Sequence, residues 1–411
     1  MTSTNRADLR KTPIQLLDGG LGTTLADVYG CSFTSSTTPL WSSSLLLTSP
    51  ATLLAAQTSF ARAGADLLLT DTYQASYGGF AAEGCATRDV AAAKMRSAVA
   101  IAHQAFTDSA ASSHGEEGRR GSSENADGNR RASPKGKVVL GLGAYGATMV
   151  PGQEYTGKYD LSTHADLQAW HAERLRVFES VHDQVDLIAF ETIPLLQEIE
   201  VLRDVMTSPP PSASTSTESE SELDVLRSKR FWISCVFPNQ EKARENLLPD
   251  GSSVKQLISA LLSDVPAQEA DGDKKKSSSS SRPRRRRRPD FVGINCTKMA
   301  KLPGLIAEFE KEIAALVPSE AGSVGLVIYP DGTNGEVYNT TTQEWEIPEP
   351  RDGQVDAEQR AQSWDERIWD VVQQTRDRGF WSEIIVGGCC KTTPPDIERL
   401  RRRIDEDTAT G

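Results

Sequence analysis

The chain has 411 residues, of which 38% are hydrophobic and 25% are charged, and its formal net charge is −12. A chain of this length forms two or three ordinary domains or one large barrel, and its apolar content suffices for a sizeable core. The acidic balance excludes a broad basic surface, so we expect no nucleic-acid partner. No stretch reaches the roughly 18 consecutive apolar residues of a membrane span, and the N-terminus lacks the apolar run of a signal peptide. We therefore expect a cytoplasmic protein without a membrane partner.

Three polar segments, rich in Ser, Gly or Pro, interrupt the chain at 107–136, 207–229 and 266–289. Segments of this composition cannot bury enough apolar surface to offset the entropy lost on ordering, so we predict that all three are disordered low-complexity insertions. The rest of the chain has the size of one large domain. We therefore predict a single domain over residues 1–411, with a folded core at about 13–404.

Short apolar runs alternate with helical patterns through the rest of the chain. The runs are almost continuously apolar, which is typical of strands buried on both faces of a parallel sheet. The predicted strands are, in chain order, 14–18, 66–72, 137–143, 185–191, 230–237, 290–295, 324–330 and 383–388. The helices predicted between and after them are 48–64, 86–106, 164–180, 194–206, 302–316 and 394–404.

Eight strands that alternate with helices favour an α/β fold of the (β/α)8 TIM-type barrel class. An open doubly wound sheet is the alternative, because alternation alone does not show that a sheet closes. Each of the three insertions immediately precedes a predicted strand. In a barrel they would lie in the loops that lead from helix to strand, on the face opposite the active site.

Three of the six cysteines stand at predicted strand ends, Cys296 after the sixth strand and the adjacent Cys389 and Cys390 after the eighth. Active sites of barrels lie at these carboxyl ends, which share one mouth. Three thiolates at one point favour a zinc site with three protein ligands and one open position. Simple packing and a redox disulfide are the alternatives. Packing is expected for the remaining cysteines, Cys31, Cys85 and Cys235.

Carboxylates also stand at strand ends, at Asp18, Asp71 and Glu191. A buried carboxylate in a barrel mouth commonly binds a substrate ammonium or acts as a base, and the alternative is an ion pair or a helix cap. None of the five histidines stands at a predicted strand end, so a histidine base or metal ligand is not expected.

Two further motifs need an interpretation. Residues 141–146 read GLGAYG, the spacing of a dinucleotide-binding loop, but Pro151 and Gly152 follow where such a loop requires a helix. We therefore reject a dinucleotide site. A basic run comprises Lys274–Lys276, Arg282 and Arg284–Arg288, and it is either a solvated loop, a signal for nuclear entry or a nucleic-acid patch.

Segments along almost the whole chain match one enzyme family in the family's order. They are LDGGLGTTL (17–25), TDTYQAS (70–76), GAYGA (143–147), EYTGKY (154–159), LIAFETIPLLQE (187–198), VGINCT (292–297), YPDGTNGEVYN (329–339) and IIVGGCCKTTPPDI (384–397). On these motifs the sequence resembles the homocysteine S-methyltransferases, zinc-dependent barrel enzymes that use S-methylmethionine or S-adenosylmethionine. Region 329–339 is longer than the form typical of the family, and the three insertions fall outside every motif.

The resemblance implies the roles of individual residues. Cys296, Cys389 and Cys390 match the family's three ligands to Zn2+, and no organic cofactor is expected. Glu191 matches the acid that binds the amino group of homocysteine, with Asp18 as its helper. The site is completed by Gly19 and Gly20, whose backbone receives the homocysteine carboxylate, and by Asn295 and Thr297, which flank a ligand and orient it.

The implied reaction moves a methyl group from a sulfonium donor to homocysteine and yields methionine. A metal deprotonates a coordinated thiol outright, which agrees with the lack of a candidate histidine base. The implied preferred donor is S-methylmethionine. Betaine-using relatives carry a long C-terminal arm, so the short chain after Cys390 favours the sulfonium branch and a monomer. The alternatives are a thiol methyltransferase with betaine or another donor, and a non-catalytic zinc-binding barrel.

Overall fold

The computed structural model describes residues 12–33, 39–117, 136–161, 163–207, 221–238, 244–266, 285–318, 322–333, 336–339, 344–346 and 362–410. Within these ranges eight parallel strands form one sheet, and β8 and β9 form a separate antiparallel pair. The strands are Ile14–Leu16 (β1), Leu67–Leu69 (β2), Lys137–Gly143 (β3), Leu187–Ile193 (β4), Arg230–Cys235 (β5), Phe291–Asn295 (β6), Gly325–Tyr329 (β7), Val337–Asn339 (β8), Glu344–Glu346 (β9) and Ile384–Val386 (β10). All eight predicted strands are confirmed, with ends shifted by a few residues.

The large sheet closes on itself. Its strand order is β1-β10-β7-β6-β5-β4-β3-β2, and the two outer strands meet at a parallel bridge between Leu17 and Leu67. On one side of the bridge the Asp66 N–H donates to the Leu16 carbonyl at 2.7 Å. On the other side the Asp18 N–H donates to the Leu67 carbonyl at 3.1 Å. The predicted (β/α)8 barrel is confirmed, and the alternative of an open doubly wound sheet is wrong.

The strand side chains point alternately to the two faces of the sheet. One set fills the interior of the barrel, with Trp232, Phe291 and Tyr329 as its largest members. The other set faces the surrounding helices and joins them in a larger apolar cluster. Burial on both faces explains why the strands read as continuous apolar runs in the sequence.

Helices surround the barrel wall. They are Leu21–Asp27 (α1), Leu45–Thr48 (α2), Pro50–Arg62 (α3), Tyr77–Ala82 (α4), Arg88–Glu117 (α5), His164–Arg176 (α6), Leu196–Val205 (α7), Glu222–Ser228 (α8), Val254–Leu262 (α9), Leu302–Leu316 (α10), Trp364–Asp377 (α11) and Pro394–Thr410 (α12). Six of these helices were predicted from the sequence, namely α3, α5, α6, α7, α10 and α12, and the others were not. Within the described ranges no helix combines the length and the apolar character that crossing a membrane requires.

The three predicted insertions lie between a helix and a strand, before β3, β5 and β6, as expected. Their boundaries were too wide. Helix α5 continues to Glu117, α8 occupies residues 222–228, and residues 285–289 are ordered against the barrel. These edges fold because they make helical turns or ion pairs with the neighbouring wall. The remainder of the three segments, 118–135, 208–220 and 267–284, lies outside the described residues.

Most of the arginine run packs against acidic side chains. Arg286 is 6% exposed and pairs with Asp204 at 2.9 Å and with Glu200 at 3.1 Å. Arg288 pairs with Asp264 at 3.1 Å. The run was predicted to be a solvated loop or a nuclear-entry signal. For Arg286 the solvated-loop interpretation is wrong, because its side chain is buried and paired with acidic neighbours, and nuclear entry stays a prediction.

Candidate active site

A cavity opens at the carboxyl ends of the strands, where the loops after β1, β2, β3, β4, β6 and β10 converge. The predicted site residues that line it are Asp18, Gly19, Gly20, Glu191, Asn295, Cys296, Cys389 and Cys390. Thr297 is buried beside them, and its hydroxyl donates to the Asn295 carbonyl at 2.9 Å and accepts the Phe237 N–H at 3.0 Å. Thr297 therefore fixes the backbone next to Cys296 rather than lining the cavity.

The three cysteines predicted as ligands lie together. Cys296 and Cys389 are joined by a disulfide with their Cα atoms 5.5 Å apart, and the Cys390 Sγ lies 4.0 Å from the Cys389 Sγ. A redox disulfide was the alternative that the sequence left open, and the structure contains this oxidised pair. Of the other cysteines, Cys235 is fully buried in β5, and Cys31 and Cys85 pack partly buried against the core.

A fourth group, Asp331, completes the cysteine cluster. It follows β7, and its backbone N–H donates to the Thr297 carbonyl at 3.2 Å. Burial raises the pKa of this carboxyl to about 6, opposed by the Lys298 ammonium. The sequence analysis missed Asp331, although the signal was present, because Tyr329-Pro330-Asp331 ends the seventh strand just as the cysteines end the sixth and the eighth.

The cluster fits a metal ion. The three Sγ atoms and one Asp331 oxygen all lie within 4.8 Å of one another. Ligands of a tetrahedral zinc ion, with Zn–S bonds of about 2.3 Å, lie about 3.8 Å apart. Burial, with the carboxylates of Asp331 and Glu154 nearby, raises the pKa of the Cys390 thiol, so the thiols need a cation in order to ionise. The disulfide uses two of the same sulfurs, and the ion therefore requires reduced cysteines.

The backbone around Cys296 is held by hydrogen bonds. Asn295 Nδ2 donates to the Cys296 Sγ at 3.2 Å and to the Thr192 hydroxyl at 2.8 Å, while the Asn295 Oδ1 accepts the Thr192 N–H at 2.9 Å. Cys296 and Thr192 both have left-handed backbone, with φ of 45° and 60°. Each such residue carries strain of about 1–3 kcal/mol, which persists only where the surroundings enforce it. The orienting role of Asn295 stays a prediction, and these contacts show which groups it would hold.

Asp18 and Glu191 form a pair of buried carboxyls on the cavity wall. Asp18 Oδ2 accepts the Leu69 N–H at 2.9 Å, and its Oδ1 is buried without a hydrogen-bond partner. Burial raises the pKa of Glu191 to about 7, opposed by a hydrogen bond from Tyr329 and by the charge of Arg174. Burial, and in part the charge of Glu191, raises the pKa of Asp18. Two adjacent carboxyls with an unsatisfied oxygen suit a ligand ammonium group.

A sequence model of one family, described as "Homocysteine S-methyltransferase", matches residues 15–404 of this chain. The chain belongs to the homocysteine S-methyltransferase family. Its members are enzymes that move a methyl group to homocysteine to make methionine, and the same substrate class, homocysteine and a methyl donor, applies here.

Curated relatives of the methyltransferase span nearly its whole length. Homocysteine S-methyltransferase 4 of Zea mays is 29% identical over 392 residues, covering 95% of this chain and 89% of its own. Homocysteine S-methyltransferase of Escherichia coli is 29% identical over 404 residues, covering 97% of both chains. The metallated homocysteine methyltransferase MmuM from Escherichia coli superposes with a TM-score of 0.59 at 23% identity, covering 97% of this chain and 99% of its own. That structural likeness shows the shared barrel fold.

Gly20 of the methyltransferase lets the loop after β1 approach the loop after β10. A Cβ at this position would lie 2.4 Å from the Cys389 carbonyl oxygen, so the close contact requires glycine. The Gly20 N–H donates to the Thr392 carbonyl at 2.9 Å. This N–H was predicted to receive the homocysteine carboxylate, and in the structure it is already engaged.

Further polar groups line the cavity of the methyltransferase. The sequence left the role of one of them open and gave no assigned role to the other. Asp71, whose role stayed open, is 4% exposed, and its Oδ1 accepts the Ser42 hydroxyl at 2.7 Å. Glu154, which the analysis did not single out, is buried beside Tyr155 on the loop after β3. Burial raises the pKa of both carboxyls to about 7. Glu154 lies inside a long loop rather than at a strand end, so only its place in the family motif EYTGKY (154–159) gave a signal for it.

Within the described ranges of the methyltransferase, no histidine lines the cavity. His171 is buried on α6, and its Nε2 lies 2.9 Å from the Glu198 carboxylate. Glu198 also accepts the Tyr159 hydroxyl at 2.6 Å and the Tyr145 N–H at 2.7 Å. His171 therefore belongs to a buried polar network that supports the loop after β3.

Proposed function

We propose that this chain transfers a methyl group from a sulfonium donor, S-methylmethionine in preference to S-adenosylmethionine, to the thiol of homocysteine. The observation that carries the proposal is that the three clustered cysteines and the Asp18–Glu191 pair line the same cavity. A thiol-activating group and an ammonium-binding group thereby share one cavity, as an amino-acid thiol substrate requires.

Cys296, Cys389 and Cys390 would hold Zn2+ and leave one position for the substrate thiol, while Asp331 is near enough to serve as a ligand when no substrate is bound. Thiolate ligands favour zinc over magnesium or calcium. When bound, the metal supplies ionisation of the substrate thiol at neutral pH, which otherwise has a pKa of about 8.5. The residues of the chain then need no separate base, in agreement with the cavity lining.

Homocysteine is proposed to bind through its charged ends. Its ammonium lies between Asp18 and Glu191. Burial raises the pKa values of both carboxyls, and a cation beside them favours their ionised forms. Its carboxylate lies at the backbone of Gly19, because the neighbouring N–H of Gly20 is engaged with Thr392. Asn295 positions Cys296 and Thr192 rather than contacting substrate.

The chemical step is a direct displacement. An electron pair on the homocysteine sulfur forms a bond to the methyl carbon, and the bond from that carbon to the sulfonium sulfur breaks. The donor sulfur keeps the electron pair and becomes a neutral thioether, while the thiol proton of homocysteine is released. With S-methylmethionine both products are methionine. In-line positioning by the cavity contributes much of the acceleration.

Methionine formation from homocysteine and methyl-labelled S-methylmethionine, followed by mass spectrometry with zinc and a reductant present, tests the proposal. Labelled methionine above the rate without enzyme is expected, and Cys296→Ala should abolish it with the fold retained. If S-adenosylmethionine or betaine alone supports turnover, the donor assignment is wrong. If Cys296→Ala unfolds and the wild type has no activity with any donor, the chain is a non-catalytic zinc-binding barrel.

We also propose a cytoplasmic monomer. Free thiols at the metal site require a reducing compartment. The exposed large apolar side chains in the described ranges are scattered singly, at Val28, Val90, Val150 and Leu316, which is normal for a monomer. Light scattering on the purified protein tests the oligomeric state, and a dimer mass would contradict it.

A further inference from the structure

Two buried carboxyls of the cavity have no role in the binding of homocysteine proposed above. Asp71 is 4% exposed, and its Oδ2 is buried without a hydrogen-bond partner. Glu154 is 7% exposed, and its Oε2 is likewise buried and without a partner. Unpaired buried carboxyl oxygens are costly, so each is expected to meet a cationic or hydrogen-bonding group of a ligand.

Glu154 lies at the metal end of the cavity. Its charge raises the pKa values of Tyr73, Tyr155 and Cys390, so the carboxyl is within electrostatic reach of both phenols and of the thiol cluster. Space for the carboxyl comes from Gly152, where a Cβ would lie 2.6 Å from the Glu154 Oε2. A group bound by Glu154 would therefore lie beside the sulfur that accepts the methyl group.

Asp71 lies on a different part of the wall. It follows β2 and is held by the Ser42 hydroxyl at 2.7 Å, while the Ser43 hydroxyl donates to its backbone carbonyl at 2.9 Å. Trp41, Ser42 and Pro39 line the cavity on this side. The two unpaired oxygens thus belong to separate loops that both border the same space.

The charges of the residues that line the cavity indicate the charge of the second substrate. Asp18, Asp71, Glu154 and Glu191 line the cavity, and the lining within the described ranges includes no Lys, Arg or His. Arg174 is buried behind the wall, where its guanidinium donates to the Gly143 carbonyl at 2.7 Å. The single ammonium of homocysteine satisfies the Asp18–Glu191 pair. A methyl donor with two cationic centres matches the other two carboxyls.

We propose that Glu154 and Asp71 form the methyl-donor subsite, with Glu154 facing the sulfonium and Asp71 facing the α-ammonium of the donor. This assignment rests on the proposed function, because it identifies the second substrate site of the same cavity. The rings of Tyr73 and Tyr155 border the sulfonium end, where an aromatic face attracts a cation.

The methyl-transfer chemistry predicts how the loss of Glu154 or Asp71 should change the kinetic constants for the donor. The sulfonium charge disappears as the donor sulfur takes the electron pair of the breaking bond, so Glu154 stabilises the bound donor more than the transition state. Loss of this carboxylate should therefore raise the KM for the donor without lowering kcat. Loss of Asp71 should likewise raise the donor KM without lowering kcat, but only for donors that carry an ammonium.

Steady-state kinetics of the full-length zinc-loaded protein with two donors test the subsite. S-methylmethionine carries a sulfonium and an ammonium, and dimethylsulfoniopropionate carries a sulfonium without an ammonium. Glu154→Gln is expected to raise the KM for both donors by about 10- to 100-fold, the effect of losing one charge-assisted contact. Asp71→Asn is expected to raise the KM for S-methylmethionine alone by a similar factor. The KM for homocysteine should stay within about 3-fold in both variants, since Asp18 and Glu191 remain.

Glu173→Gln is the matched control. It also removes one carboxylate, but this carboxylate lies on α6 in an exposed ion pair with Arg88 of α5, and all kinetic constants should be unchanged. Thermal unfolding shows whether each variant folds. If Glu154→Gln does not fold, Glu154→Asp, which keeps the charge and shortens its reach, should still raise the donor KM.

Several outcomes would overturn the assignment. An unchanged donor KM in Glu154→Gln would do so, as would a rise in the homocysteine KM alone, or an equal effect of Asp71→Asn on both donors. If the wild type turns over no donor, the proposed function fails, and calorimetric titration of S-methylmethionine then decides the subsite separately. Binding that Glu154→Gln weakens supports it, and no binding to the wild type overturns it as well.

Discussion

The Asn295 side chain joins two strands that are not neighbours in the barrel: its Nδ2, at the end of β6, lies 2.8 Å from the Thr192 hydroxyl in β4. The same nitrogen lies 3.2 Å from the Cys296 Sγ. Because Thr192 directly follows Glu191, this one amide connects the proposed metal site to the proposed ammonium site. A change at Asn295 should therefore reach both.

Asn295→Ala should weaken metal binding by about 10- to 100-fold, the usual cost of losing a group that orients a ligand. The reason is that Cys296 loses the hydrogen bond to its sulfur, while its left-handed backbone has less support. Competition for zinc with a chromophoric chelator measures the effect. Asn246→Ala, which removes a surface amide bonded to Glu308 at 3.1 Å, is the control. Equal zinc affinity in both variants would show that Asn295 does not orient the ligand.

Glu198→Gln should disturb the loop that carries Glu154. Glu198 is fully buried and bonds His171, Tyr159 and the Tyr145 N–H, so the neutral amide loses the charge-assisted strength of these bonds and must donate to the Tyr159 hydroxyl instead of accepting from it. We expect a loss of about 1–3 kcal/mol in the free energy of unfolding. The donor KM should also rise, with the homocysteine KM unchanged. Urea unfolding and steady-state kinetics check both effects, and a change in stability alone would limit Glu198 to a structural role.

The pH dependence of homocysteine capture should follow Glu191. Burial raises the pKa of this carboxyl to about 7, and only its ionised form attracts an ammonium. The kcat/KM for homocysteine, which reports the free enzyme, should therefore fall as pH is lowered from about 8 to 6. Glu191→Gln should have a lower kcat/KM and lose this limb of the profile. If the limb persists in the variant, another group titrates there.

Stability should show the opposite trend with pH. The folded pKa of Glu191 lies above the unfolded value of 4.5, so its contribution to stability is full below pH 4.5 and is lost as pH rises to about 7. At pH 8 the wild type therefore holds an unfavourable buried charge. Glu191→Gln should raise the unfolding free energy there by on the order of 1–3 kcal/mol. Thermal melts at pH 5 and pH 8 provide the check, and a variant less stable than the wild type at pH 8 would contradict it.

Residues 267–284 should be dispensable for catalysis. The residues on either side of them, Pro266 and Arg285, form an antiparallel bridge, and the Arg286 N–H donates to the Val265 carbonyl at 3.0 Å. The two ends are therefore already adjacent, on the face of the barrel away from the cavity. Joining them with a short Gly-Ser linker should leave kcat/KM within about 2-fold, as expected for a change outside the active-site face. A Gly-Ser segment of the original length is the control, and a large loss in both would assign these residues a role in turnover.

The sequence predicted the barrel because its strands are buried on both faces and read as apolar runs. It could not show closure, which depends on the bridge between Leu17 and Leu67, far apart in the chain. The sequence also contained start signals for two helices that were not predicted. Both α9 and α11 start with a capping box, Ser253 with Gln256 and Ser363 with Glu366.

Some residues of the candidate site could likewise be predicted from the sequence, and others could not. Residues at strand ends, such as Cys296 and Glu191, could be found from position because parallel strands deliver their carboxyl ends to one mouth. Asp331 follows the same rule and was missed only because the end of the seventh strand was not read. Glu154 and Tyr155 reach the cavity through the path of a long loop, and only the folded chain places them there.

Asp18 serves the barrel wall as well as the cavity. The strands that meet at the closing bridge have three residues each, and carboxylates supplement their backbone bonds, since Asp66 accepts the Leu16 N–H and Asp18 accepts the Leu69 N–H. A junction with so few bonds is where local opening costs least. An ammonium held by Asp18 fixes that carboxylate in place, so bound homocysteine slows this opening. Hydrogen–deuterium exchange at the Leu69 amide would then report substrate occupancy directly.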